Sequence, residues 1–409
     1  MPDRLRVVVV NDYALPVGGA SSVALAQARG LAARGHEVIL FSAVPAHAPQ
    51  AKDGVHYFSC NQTDLLGASS RAAAGIQGLW NRKAAQQLTE LLRQQPRHTV
   101  VHLHSWTKAL SASTVAAIAD SGLASVCTLH DYFVACPNGG FFNYQQSRAC
   151  PLKPLSLACI SCHCDARHYS HKLWRTLRQF VQQYAGGMPR RMRHFICVSD
   201  FSRELIEPYL PEGSQIHVVP SAIAVEQHPP LSADQRQSIV FVGRLAREKG
   251  VMTYLEACRI AGIAPVLLGD GELASWIRAH YPQASLSGWL PSDKLHHAMR
   301  RALALAAPTL AYETQQLTIL EAAALGVPAI VSSHSAGARY VEPERTGAWV
   351  EAGDAAKLAE IMRRMQSDKD YTIRLGQEAY HRFWSCSEYR PEHCLQQIET
   401  VYAGCLAGQ

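Results

Sequence analysis

The sequence predicts an α/β protein of two doubly wound halves facing a central cleft. Three observations carry this. Short apolar runs of strand length alternate with stretches whose apolar residues return at helical spacing. The alternation is interrupted once, over Pro220–Ser238, where Pro220, Pro229 and Pro230 stand among polar residues as a linker would. It then restarts on the same plan in a chain of 409 residues, long enough for two or three cores.

Along the first half, Arg6–Val10, Val38–Phe41, Thr99–Leu103 and Ser125–Leu129 read as buried strands, with His194–Val198 and Ile216–Val219 as later strands of the same sheet. Helical patterns fill Ala20–Ala33, Ala72–Leu92 and Ser111–Ala119. Strands that alternate with helices form a parallel sheet covered on both faces, so their strands read as continuous apolar runs. After the linker come strands at Ile239–Val242, Val266–Leu268, Leu303–Ala306 and Ala329–Val331, and helices at Met252–Ala261, Leu317–Leu325 and Ala355–Met365. In Tyr389–Leu406, Cys394, Ile398, Val401, Tyr402 and Cys405 share one helix face. The expected division is 1–220, 221–385 and a final helix within 386–409. Ligands of such folds bind at the carboxyl ends of the strands.

Composition narrows the partners. Hydrophobic residues make up 48% and charged residues 18%, which excludes bulk disorder. A formal charge of +6 is too diffuse for nucleic acid and suits anionic small molecules or an anionic membrane surface. No apolar run reaches the length of a membrane span. The opening valine run is followed by Asn11-Asp12 and reads as a strand rather than a signal peptide, so a cytoplasmic protein is expected.

Chemistry concentrates in the second half. Gly243 to Gly250 reads Gly-Arg-Leu-Ala-Arg-Glu-Lys-Gly, placing Arg244 and Lys249 in a strand-to-helix turn. Cations there, with glycines admitting a close ligand, suit a diphosphate; the alternative is a solvated charged turn. The run lacks the Lys-Ser/Thr of a Walker loop, and Gly18-Gly19 lies outside any dinucleotide fingerprint. Glu313 and Glu321 flank seven residues that lead into a helix near Leu317-Thr318, whose amides would face a phosphate. Two carboxylates beside an anion site suit sugar or ribose hydroxyls. The alternative for Glu321 is a capping box with Thr318.

In order and spacing these residues, with Gly269-Asp270-Gly271 between them, resemble the donor-binding half of the family-4 retaining glycosyltransferases. Gly18-Gly19, Ala32–Val38, Val101–His104, Leu129–Asp131 and Val198-Ser199 extend the resemblance over nearly the whole chain. It implies the GT-B fold: two Rossmann-like domains and a C-terminal helix that crosses back to the first. It further implies that Arg244 and Lys249 neutralise a donor diphosphate, that Glu321 binds ribose and that Glu313 touches the transferred sugar. Leu317 and Thr318 would lend amides, Gly269 would border the donor, Gly18 and Gly19 would admit donor and acceptor, and His130 would lie beside the sugar. The implied activity is retaining transfer from a nucleotide-sugar donor to a glycan or lipid-linked acceptor, without a catalytic divalent metal, in surface glycan synthesis. A nucleotide-sugar epimerase on the same fold and a non-catalytic sugar-nucleotide-binding scaffold are the rival readings. The chain departs from the family at Thr314-Gln315-Gln316, where small residues are usual, and at Ala338, where a second glycine is usual. His36 and His104 are expected to pack at strand ends.

Two further features stand outside this set. Of twelve cysteines, five crowd into an insertion at about 132–166. Cys159 and Cys162 have the gap of a zinc knuckle, so Cys136, Cys150, Cys159 and Cys162 are candidate ligands of a structural zinc, with Cys164 as the alternative. An iron–sulfur cluster and free thiols are the other readings. From Arg167 to Arg193 there are seven Lys/Arg and no Asp/Glu, with Leu173, Trp174, Leu177, Phe180, Val181 and Tyr184 on one helical face. Such a helix could rest peripherally on anionic lipid of the inner membrane face. Alternatively, its apolar face covers the core and its basic back is solvated.

Overall fold

The computed structural model describes residues 4–46, 53–68 and 70–408. The first sheet is built from β1 (Arg6–Tyr13), β2 (Glu37–Val44), β3 (Val55–Ser59), β4 (Thr99–Leu103) and β5 (Ala124–Leu129). After a small hairpin, β6 (Phe142–Asn143) and β7 (Arg148–Ala149), it is completed by β8 (His194–Cys197) and β9 (Gln215–Val218). Its spatial order is β3-β2-β1-β4-β5-β8-β9, all parallel. The second sheet comprises β10 (Ser238–Val242), β11 (Val266–Leu268), β12 (Ser285–Leu286), β13 (Ala302–Ala307), β14 (Ala329–Ser332) and β15 (Gly347–Val350). Its order is β12-β11-β10-β13-β14-β15, again parallel. Both orders reverse beside the first strand, between β1 and β4 and between β10 and β13. At such switch points the loops part and leave a crevice.

The apolar runs became strands for the expected reason: Val7 to Val10 and Leu303 to Ala306 are wholly buried, with core on both faces of each sheet. Three differences have local causes. The helical pattern over 72–92 is two helices, Arg71–Leu79 and Arg82–Arg93, because Asn81 breaks it and caps the second by accepting from Ala84 N. The strands β3, β12 and β15, at sheet margins, and the helix Lys369–Ser385 lie outside the predicted elements. In the helix Tyr169–Tyr184, the reading with the apolar face over the core and the basic back solvated needs correction. Lys172, Thr176, Arg178, Gln179 and Gln182 are the buried residues, whereas Leu173 and Leu177 are exposed.

The helix Pro391–Ala407 returns to the first domain. Ile398, Val401, Tyr402 and Cys405 join the core formed by Val7, Val9, Leu25 and Leu31. Polar contacts fix its register. Arg34 donates to both oxygens of Glu399, from Nε at 2.6 Å and Nη2 at 2.8 Å, and His36 Nε2 lies 2.9 Å from the same carboxylate. The Arg34 hydrogen bonds, opposed by burial, hold Glu399 below the usual carboxylate range. His36 also accepts from Leu5 N through Nδ1 at 3.1 Å, so it ties strand to helix.

This cluster generates a prediction. Arg34→Ala strands Glu399 beside His36 alone and should cost about 2 kcal/mol in urea unfolding, less than a fully buried pair because Arg34 is 35% exposed. Amide exchange within 391–407 should rise before the rest of the first domain opens. Unchanged exchange there would show that apolar packing alone holds the helix.

Candidate active site

The glycines of the second domain bring its loops together. Gly269 follows β11 at φ +149°, and a Cβ on it would lie 2.1 Å from Gly243 O. The loop after β11 therefore lies against the loop after β10, with Leu245 N donating to Asp270 O at 2.9 Å. Gly250, at φ +75°, has even less room: its Cβ would meet Pro308 O at 1.8 Å. This close approach sets the turn Arg247–Lys249 against the segment after β13. Arg244, more than half exposed, pairs with buried Glu248. Lys249 Nζ donates to both oxygens of Glu313 at 2.8 Å, and Thr309 Oγ1 donates to Glu313 Oε1 at 3.1 Å. Lys249 and the first glutamate thus meet at the second switch point.

Glu313 and Gln316 both have φ of +57°, a left-handed backbone that non-glycine residues adopt at a cost of about 1–3 kcal/mol each. Their surroundings hold them there. Tyr132 OH donates to Glu313 O at 2.7 Å, Thr314 Oγ1 donates to His130 O at 3.1 Å, and Ser199 Oγ donates to Thr314 O. Gln315 accepts from Ser221 N at 2.8 Å and donates to Ser221 O at 3.2 Å. Gln316 Oε1 accepts from Ser335 Oγ at 3.0 Å and Gly337 N at 2.8 Å. The three residues that depart from the family pattern therefore join the first domain, the linker and the turn after β14.

The helix Leu317–Ala324 follows with Gln316 as its flanking residue and no side-chain cap. The Thr318-Glu321 capping box is not formed, because the helix starts one residue ahead of Thr318. Glu321 is 21% exposed, and its Oε1 stands 3.7 Å from His296 Nε2. The Asp-x-Asp pattern of the chain, Asp368-Lys369-Asp370, lies elsewhere, with Asp368 capping the helix Lys369–Ser385.

In the first domain, Gly18 and Gly19 open the helix Gly18–Ala33 and are exposed, and a Cβ on either would meet nothing within 4 Å. His130 follows β5. Its Nε2 lies 2.9 Å from His104 Nδ1, their rings stack at 5.2 Å, and His104 is 2% exposed. Burial lowers the pKa of His130 to about 4 and holds His104 well below its usual value, so the pair is neutral near pH 7. Far from only packing a strand end, His104 orients His130. The two border a small cavity with Trp106, Thr107 and Asp131. Buried Asp12 braces the same wall by accepting from the amides of Lys108, Ala109 and Leu110 at 2.9–3.1 Å. The alternation of His102 on β4 and His104 directly after it was the available signal for His104. Gln315 was marked only as a departure from the family pattern, and nothing in the sequence pointed to Tyr132 or Asp12.

In the insertion, burial raises the pKa of Tyr144; the Glu248 charge adds to this and Arg244 opposes it. For the cysteines, the zinc expectation finds no support in the geometry. Among the described residues no three His, Cys, Asp or Glu side chains are grouped to hold a metal ion, Cys136 and Cys150 included. Instead Asn138 Nδ2 approaches Cys164 Sγ at 3.3 Å, Asn143 Nδ2 approaches Cys162 Sγ at 3.5 Å, and Lys172 Nζ approaches Cys159 Sγ at 3.4 Å.

Comparison with known proteins agrees with this architecture. The chain is 27% identical over 173 residues to a GDP-mannose-dependent alpha-(1-6)-phosphatidylinositol monomannoside mannosyltransferase of Mycobacterium tuberculosis, covering 38% of this chain and 44% of that protein. It is 26% identical over 205 residues to the UDP-Gal:alpha-D-GlcNAc-diphosphoundecaprenol alpha-1,3-galactosyltransferase of Escherichia coli, covering 44% and 52%. The chain thus spans about half the length of these relatives. Among solved structures, sucrose-phosphate synthase of Thermosynechococcus elongatus superposes with a TM-score of 0.72 at 17% identity, covering 99% of this chain and 100% of that one. Anabaena HepE in complex with UDP and glucose superposes with a TM-score of 0.67 at 14% identity, covering 98% and 100%. The fold is that of these GT-B enzymes. Residues 236–368 match the family described as Glycosyl transferases group 1, and residues 17–227, more than half of the chain, match Glycosyltransferase Family 4. The chain belongs to glycosyltransferase family 4.

Proposed function

We propose that this chain moves a sugar from a nucleotide diphosphate to a glycan or lipid-linked acceptor, with retention at the anomeric carbon. The observation that carries the reading is the contact of Lys249 with both Glu313 oxygens, four residues ahead of a helix without a side-chain cap. A diphosphate arriving there takes Lys249 and Arg244 as counter-charges and the Leu317 and Thr318 amides as donors. Glu313 is then free to accept hydroxyl hydrogens of the transferred sugar, and Glu321 those of the ribose. The bond from the anomeric carbon to the diphosphate oxygen breaks as the cations and helix end stabilise the charge on that oxygen. An acceptor hydroxyl bonds to the anomeric carbon from the same face, and its proton passes to the departing phosphate oxygen. Neutral His130, aligned by His104, serves as a hydrogen-bond partner for the sugar. The exposed amides at Gly18 and Gly19 leave room for donor and acceptor in the cleft.

The acceptor class is supported by the relatives, whose names specify a phosphatidylinositol monomannoside and a diphosphoundecaprenol-linked sugar. Among the described residues no helix is long and apolar enough to cross a membrane. On this reading a lipid-linked acceptor is met at the inner membrane face, in the cytoplasm. Incubating nucleotide sugars without acceptor separates the rivals: epimerisation of a donor would replace transfer as the reading, and no binding of any donor would leave a scaffold. In a thermal-shift screen, a true donor at a hundred times its Kd adds about 2.7 kcal/mol of apparent stability.

Five substitutions at four positions test the roles. Arg244→Ala and Lys249→Ala should each lower transfer by about 10²-fold with the fold intact; wild-type turnover in both removes the diphosphate assignment. Glu321→Gln should weaken donor binding without changing the melting temperature, since no cap is lost; unaltered donor affinity refutes the ribose role. His104→Phe should lower kcat about tenfold while donor affinity holds, and His104→Asn, which restores a polar atom near Nδ1, should recover part of it. Equal activity of His104→Phe and wild type would show that His130 needs no support.

A further inference from the structure

The helix Tyr169–Tyr184 has its polar side inside. Lys172 and Arg178 are only 1% and 8% exposed. Arg178 Nη1 donates to Thr107 O at 3.1 Å, Gln179 Nε2 to Val134 O at 3.1 Å and Gln182 Nε2 to Phe133 O at 2.9 Å, so these groups are used up against the domain. The outer side is left apolar. Tyr169, Leu173, Leu177 and Tyr184 are exposed, and with half-buried Phe180 they follow one another at spacings of four, four, three and four. That spacing makes one stripe about 22 Å long at 1.5 Å per residue. Ile76 and Leu157, 70% and 86% exposed, lie on the two helices packed beside it, Arg71–Leu79 and Leu157–Ser161. A contiguous exposed apolar stripe of this kind marks a docking surface.

Charge selects the occupant. Residues 65–89 contain no Asp or Glu, and residues 150–193 contain only Asp165. Asp165 is buried and paired with Arg175 at 3.0 Å, so it offers the surface no negative charge. Around the stripe stand exposed Arg71, Lys153, Arg167 and Arg190, the last over the ring of Tyr184 at 5.6 Å. Two copies meeting through this face would oppose like charges without a counter-ion. An anionic bilayer supplies both an apolar layer and negative headgroups. Tyrosines at both ends of the stripe, with leucines between, match the preference of tyrosine for the headgroup level.

We infer that this stripe, with Ile76 and Leu157, is a docking face for an anionic lipid surface. The helix meets lipid with its apolar side because its polar side is committed to Thr107, Phe133 and Val134. Thr107 borders the cavity beside His130, and the helix lies directly behind it. Docking there sets that cleft wall within about one helix diameter, 10–12 Å, of the headgroups. The inference rests on the surface alone and is tested without any sugar substrate, so its failure would leave the transfer reading standing.

The test is co-sedimentation of the full chain with vesicles of phosphatidylglycerol and phosphatidylcholine, against vesicles of phosphatidylcholine alone. Wild type should bind the anionic vesicles at low salt and lose most binding at high salt. The double variant Leu173→Gln/Leu177→Gln, altered only at exposed positions, should bind at least tenfold more weakly at an unchanged melting temperature. Arg167→Glu/Arg190→Glu should weaken binding on the anionic vesicles in the same way. Absence of wild-type binding to anionic vesicles at low salt overturns the inference, as does equal binding by the leucine double variant. A concentration-dependent dimer that this variant abolishes, without vesicle binding by wild type, assigns the face to a second copy instead.

Discussion

Glu313 to Gln316 hydrogen-bond to the end of β5, to the linker and to the turn after β14, and Glu313 and Gln316 sit in backbone space that glycine favours. The rest of the site depends on that loop staying in place. It sets Glu313 against Lys249, starts the helix Leu317–Ala324 where its amides are uncapped, and places Thr314 on the backbone of His130. Neighbouring Tyr312 packs against the core of the first domain and against Phe201, so the loop is anchored by apolar contact as well as by hydrogen bonds. A glycine at position 316 would take the same dihedrals without strain, but it would have no amide side chain to reach Ser335 and Gly337. The strain and the bridges are two sides of one arrangement: the side chains that make the backbone costly also make the contacts that hold it.

The opposite wall achieves rigidity differently. Asp12 is a buried carboxylate held by three backbone amides. Burial raises its pKa although each of those hydrogen bonds acts to lower it. His102 links Tyr402 and Thr128 through hydrogen bonds of 2.7 Å, and burial lowers its pKa to about 3. The floor of the first domain thus presents fixed dipoles and neutral rings. The mobile charge of the site belongs to the second domain, where the leaving group is expected.

Much of the fold was legible in the sequence, since parallel strands covered on both faces announce themselves as apolar runs such as Val7–Val10. The positions of Arg244, Lys249, Glu313 and Glu321 in the fold were legible too, because they stand at fixed places around strand ends. The margins were harder. Strands such as β3, with half its residues reaching solvent, resemble loops. Long-range hydrogen bonds leave no local pattern: Gln315 meets Ser221 across 94 positions, and Tyr132 meets Glu313 across 181. The helix Tyr169–Tyr184 shows a further limit. Periodicity identified its apolar face correctly and carried no information on whether that face would be covered, because a helix can satisfy its polar side against the domain and leave the other bare.

The chain crosses between domains twice, once through the linker after β9 and once between Ser385 and Pro391. The two crossings run side by side, with Ile223 N donating to Tyr389 O at 2.8 Å. In topological terms the second domain is a cassette inserted into the first, whose core closes only when its last helix is in place. Protein synthesis therefore completes the second domain before it completes the first. A chain halted at Ser385 would possess every strand of both sheets and still lack part of the hydrophobic interior beneath β1.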